Sequence, residues 1–147
     1  MKFEMNSGFK SQISTFKLSM RFLALLAVLC LFLQSCNNNK PRVLVFSKTK
    51  GYRHQSINVG KPAIQKLGAE NGFDVDTTEN ADAFKEENLK KYAAVVFLST
   101  TGDVLDLQQQ NAFKRYIQAG GGYAGVHAAA DTEYDWWWYN KLAGAWF

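Results

Sequence analysis

Cysteine is scarce in this chain, and its placement decides what it can do. The 147 residues hold two, Cys30 and Cys36, and none follows Cys36. The part beyond that point therefore has no disulfide and no cysteine nucleophile. Histidine is as rare. His54 and His127 are the only two, and no H-x-H or H-E-x-x-H pair exists, so the sequence specifies neither a metal nor a metal site. With 47% hydrophobic and 20% charged residues, 11 glycines and two prolines, disordered, collagenous and low-complexity classes are excluded. A membrane-spanning run is missing too. The longest apolar stretch, Phe22 to Leu33, has twelve residues. As a helix it would reach about 18 Å, against a hydrocarbon core of roughly 30 Å.

The basic excess has a definite location. Lys and Arg number 17 against 13 Asp and Glu, a net charge of +4. Lys2, Lys10, Lys17 and Arg21, opposed only by Glu4, precede Cys36, which leaves 13 basic against 12 acidic residues. No cationic surface for nucleic acid is indicated. Arg21, the apolar run and the segment up to Cys36 read instead as a signal peptide, residues 1–36, with 1–19 an upstream extension if Met20 is the true start. Leu33-Gln34-Ser35-Cys36 resembles the bacterial lipobox, whose cysteine becomes the lipidated N-terminus. The expectation is a periplasm-facing lipoprotein, anchored to the membrane through Cys36 and tethered by residues 37–41.

The remainder alternates strand and helix signals. Arg42 to Ser47 is a buried-strand run. Ile57, Gly60, Ile64, Leu67 and Gly68 share a helical face that ends at Asn71-Gly72, and Pro62 predicts a regular start near Asn58 to Lys61. Phe73 to Thr77 alternates as a second strand. A short helical segment over Ala83 to Lys91 precedes Ala93 to Leu98, a third strand. Asp106 and Gln109 form a capping-box pattern before an apolar face of Leu107, Phe113, Tyr116 and Ile117. Gly121 to His127 is the fourth strand. The βαβαβαβ order predicts a parallel α/β sheet with right-handed crossovers. Ligands of such sheets bind beyond the carboxyl ends of the strands, where strand order reverses.

Both histidines fall in loops at that edge. Lys48 to Ser56 brings cations, His54 and hydroxyls to a helix start, suited to an anion or a sugar, although it lacks a phosphate-loop glycine pattern. His127 ends the fourth strand among small residues, with Asp131, Glu133 and Asp135 close behind. A neutral imidazole there can serve as general base or metal ligand, oriented by a carboxylate, or simply as a structural group. Trp136 to Tyr139 is a run of four aromatics. Consecutive positions cannot all face one core, so at least one ring stays at the surface, where it suits the C–H face of a sugar.

Gly51-Tyr-Arg-His-Gln-Ser-Ile57, Leu98-Ser-Thr-Thr-Gly-Asp103 and Gly120-Gly-Gly-Tyr-Ala-Gly-Val-His-Ala-Ala-Ala-Asp-Thr-Glu-Tyr-Asp135 resemble the ThuA-like (trehalose utilisation) domain, from Arg42 to Phe147. The resemblance implies the flavodoxin-like fold of the class I glutamine amidotransferase superfamily and a role with disaccharides or 3-keto sugars. The amidotransferase cysteine corresponds to His127, so glutamine hydrolysis is excluded. Trp137 stands where the pattern has proline. Family domains continue past the aromatic run, so residues 42–147 are expected to be a partial, C-terminally truncated domain with about four strands. The resulting assignment has His127, Asp131 and Glu133 as catalytic candidates. Tyr52, Arg53, His54 and Thr101 are the contacts to a small-molecule sugar, and no cofactor is specified. The alternative is a carbohydrate-binding lipoprotein without catalysis.

Overall fold

A computed structural model describes residues 40–145, so the apolar run and Cys36 lie outside the described residues. Four strands make one parallel sheet: β1 (Arg42–Phe46), β2 (Asp74–Thr78), β3 (Ala94–Leu98) and β4 (Gly122–Val126), in the order β2-β1-β3-β4. The helices are α1 (Ser56–Asn71), α2 (Glu86–Leu89), α3 (Leu107–Gln118) and α4 (Trp137–Ala143). Two 3₁₀ turns, Ala81–Ala83 and His127–Ala130, complete the alternation. This is the flavodoxin-like α/β arrangement expected from the sequence. The chain runs outward from β1 to β2, then crosses to β3 and β4, so the reversal lies between β1 and β3. No helix among the described residues is long and apolar enough to cross a membrane.

One face of the sheet carries the main core, in which Leu44, Phe46, Val95 and Phe97 meet Phe84, Leu89, Phe113 and Tyr139. The Phe97 ring lies 5.3 Å from Phe46, 5.4 Å from Phe113 and 5.5 Å from Tyr139. Each such side chain contributes about 1.5–3 kcal/mol by leaving water. Helix α1 covers part of the other face through Ile57 and Gly68. A Cβ on Gly68 would sit 2.6 Å from the Phe73 carbonyl oxygen, so only glycine lets the helix approach β2 this closely.

The capping box forms as expected. The Asp106 carboxylate accepts from Gln109 N–H at 2.9 Å, and Gln109 Oε1 accepts from Asp106 N–H at 2.9 Å. Other expectations need correction. Helix α1 begins at Ser56 and carries Pro62 inside it, one turn beyond the exposed Asn58, whose carbonyl can turn to water. Leu67 and Leu107, which their spacing puts on the apolar faces, are 51% and 71% exposed. The contact faces of both helices are narrower than their apolar periodicity. Strand β2 starts one residue later, at Asp74.

Candidate functional site

The loops after β1, β3 and β4 meet at the carboxyl edge, joined along the segment 100–102. Lys50 and Gly51 N–H groups donate to the Thr101 carbonyl at 2.8 and 3.4 Å, and Thr101 Oγ1 donates to the Tyr52 carbonyl at 3.0 Å. On the other side, Gly102 N–H donates to the Asp131 carbonyl at 2.8 Å, and the Thr100 and Thr132 hydroxyls meet at 2.8 Å. Thr100, Thr101 and Thr132 are buried, and these bonds satisfy their hydroxyls.

Three side-chain-bearing residues here occupy the left-handed backbone region: Ser99 (φ 49°), His127 (φ 53°) and Glu133 (φ 56°). Such conformations cost on the order of 1–3 kcal/mol each and persist where their surroundings over-determine them. Ser99 and His127 directly follow β3 and β4, so both strands end in a sharp turn. Gly125 leaves room for the second turn, since a Cβ there would fall 2.8 Å from Tyr123 Oη.

This geometry brings the histidines together. The His54 and His127 rings are edge-to-face with centroids 4.4 Å apart, and Tyr52 adds a third ring 4.8 Å from His54. Tyr52 is 68% exposed, His54 is partly buried and His127 is exposed. Ser56, two residues after His54 at the start of α1, places Oγ 3.4 Å from the buried Ser99 Oγ. The row can donate, accept and relay protons to a polar ligand lying across it.

The remaining candidates have other partners. The Arg53 guanidinium makes a two-pronged bond to Glu79 at 2.9 and 3.0 Å, and Lys61 binds the same carboxylate. Lys61 and then Arg53 hold the Glu79 carboxyl below its usual range. Thr101 acts through the Tyr52 backbone, from a buried position. Asp131 accepts from the Tyr134 hydroxyl at 2.6 Å. Glu133 is fully buried. One of its oxygens accepts from Val104 and Leu105 N–H at 2.7 and 2.8 Å, the other from Gln110 Nε2 at 2.6 Å.

Burial pushes the Glu133 carboxyl up despite these donors, which oppose the rise. Neither Asp131 nor Glu133 is hydrogen-bonded to His127. The orienting role expected for Glu133 therefore gives way to fastening the loop between β3 and α3, because two buried N–H groups there have claimed its carboxylate. Among the described residues no group of three or more His, Cys, Asp or Glu is placed to hold a metal ion.

Sequence reasoning missed Glu79 and the Thr100–Thr132 pair. Neither has a local signature, since each partner lies in a different loop. In the aromatic run Tyr139 is buried and Trp137 is 62% exposed, the division expected from consecutive positions.

Residues 42–147 match the family model described as "ThuA: Trehalose utilisation". Among solved structures, a ThuA-like protein from Bacteroides uniformis is similar at 25% identity with a TM-score of 0.61. The match covers 74% of this chain and 45% of that one, so the chain spans less than half the length of that relative. No curated protein matches.

Proposed function

The chain belongs to the ThuA family, whose description supports a carbohydrate-utilisation role, and on that premise we propose that the row Tyr52–His54–His127 binds a disaccharide or a 3-keto sugar. The observation that carries this reading is the 4.4 Å contact of the two histidines at the strand-order reversal. In the catalytic form of the reading, His127 is the general base. A sugar ketone acidifies its neighbouring C–H, and an imidazole can remove that proton and either return it to an adjacent carbon or oxygen, giving isomerisation, or deliver it to the β-oxygen as that C–O bond breaks, giving elimination with an alcohol or water as leaving group. His54 and the Ser56 hydroxyl orient the ligand, the buried Ser99 hydroxyl lies 3.4 Å behind Ser56, and Tyr52 offers a ring face.

The test is turnover of 3-keto-disaccharides by the protein and by His127→Ala and His54→Ala. Loss of turnover with His127→Ala, with binding retained, is the expected result. Equal activity in that variant overturns the role of His127. A second reading, sugar binding without catalysis, is favoured because, among the described residues, Asp131 and Glu133 are bonded to groups other than His127. It predicts saturable binding and no turnover with any keto sugar.

The proposal extends to location. Arg21, the apolar run and Leu33-Gln34-Ser35-Cys36 support export and a lipid anchor at Cys36. Labelling with radioactive palmitate in a bacterial host tests this. Cys36→Ala should abolish the label and release the protein from the membrane fraction, and a label unaffected by that change overturns the anchor.

A further inference from the structure

A second recess lies away from the histidines. A cavity of about 700 Å³ opens at the opposite, amino edge of the sheet, between α2 and α3 and beside the residues that lead into β3 and β4. That volume lies within the roughly 300–1,000 Å³ typical of small-molecule sites. Tyr92 and Tyr116 provide its aromatic lining, and Glu86, Glu87, Lys90 and Arg115 its charged side chains.

The aromatic wall is fixed in advance. Tyr116 stacks on Phe113 with centroids 6.1 Å apart, and its hydroxyl donates to the Tyr92 carbonyl at 3.2 Å. Gly121 lies so close to the Tyr116 ring that no Cβ would fit between them. A wall held this way loses little freedom when a ligand covers it.

The charged residues identify the ligand class. Two carboxylates and two cations sum to zero, so neither an anion such as a phosphate ester nor a cation is favoured over a neutral molecule. Glu86 and Arg115 pair across the mouth, linking α2 to α3, and both side chains are 58% exposed. An exposed pair of this kind contributes little and opens readily. Carboxylates accept from hydroxyl groups, guanidinium and ammonium groups donate to them, and tyrosine rings suit apolar C–H faces. We propose that this cavity is a second binding site, for a neutral polyhydroxylated ligand of disaccharide size, separate from the histidine row. It does not rest on the catalytic reading of that row.

Titration of the full chain with trehalose, sucrose and maltose, followed by calorimetry, tests the proposal. Ala119→Trp adds bulk at an exposed position on the cavity wall, and Arg115→Gln removes one donor from the mouth; unchanged circular dichroism checks that both fold. For at least one of the sugars, a binding event should weaken by about tenfold or more with Ala119→Trp, weaken measurably with Arg115→Gln, and persist in His54→Ala/His127→Ala. Absence of binding by all three sugars overturns the proposal. So does affinity that both cavity variants leave intact, or that the double histidine variant abolishes.

Discussion

Glu133 offers the sharpest test of how the site edge is held. Its carboxylate is fully buried and takes three donors, Val104 N–H, Leu105 N–H and Gln110 Nε2. Glu133→Ala leaves two backbone N–H groups orphaned on residues that are 1% and 5% exposed. Each orphan costs about 1–3 kcal/mol, and the space left by the side chain adds to that, so a loss of about 3–5 kcal/mol is expected. For a domain with roughly 5–15 kcal/mol in hand this is a large fraction, corresponding to a fall in Tm of more than about 10 °C.

Glu133→Gln should behave differently. Its amide oxygen can accept from both backbone N–H groups, and Gln110 can flip its own amide to face the new NH₂.

The charge then decides the pH dependence. Burial raises the Glu133 carboxyl above its ordinary 4.5 in the folded protein. Between 4.5 and the raised folded value the native state holds more protons than the unfolded one, so stability falls as pH rises through that window. Glu133→Gln removes this slope and should match or exceed the parent above it. Thermal melts of the parent and both variants from pH 4 to pH 8 measure all three effects. A Gln variant as damaged as the Ala variant at pH 7, or a parent whose slope equals that of Glu133→Gln, would refute the reasoning.

Three further outcomes follow from neighbouring contacts. Glu79→Gln should cost at most about 1 kcal/mol, and less in high salt, because the carboxylate is 41% exposed. The contribution of the lowered Glu79 carboxyl is present above 4.5 and lost as pH falls through its folded value, so acid melts should show a smaller loss in the variant than in the parent. Thr101→Val deletes the donor to the Tyr52 carbonyl; denaturant unfolding should register about 1 kcal/mol, and sugar affinity at the histidine row should drop without any change in ring composition. Asp106→Ala removes half of the capping box and should lower stability by about 1 kcal/mol in the same assay, leaving ligand binding intact.

What the sequence discloses and what it hides divide along a physical line. Strands β1 and β3 are legible because buried parallel strands need continuous apolar runs, β2 through its alternation, and the start of α3 because its cap is written in two residues three apart. The histidine pair is legible for a related reason: both residues sit just past strand signals, and parallel strands deliver their ends to one edge. Orientation is not written in this way. A carboxylate six residues after His127 looks like its partner, yet a left-handed backbone at Glu133 accompanies a side chain bonded to the loop before α3.

Arg53 shows the same limit at longer range. It reads as a substrate contact because it adjoins His54, but strand order places β2 beside β1 and so brings Glu79, just past the end of β2, against the loop that carries Arg53. With Arg53 held there and Lys48 Nζ donating to the Val104 carbonyl at 3.1 Å, two of that loop's three cations, Lys48, Lys50 and Arg53, are taken up within the protein, while Tyr52 packs on His54 and His54 on His127. That arrangement suits an uncharged, hydroxyl-rich ligand better than the anion that three cations in the same loop would suggest.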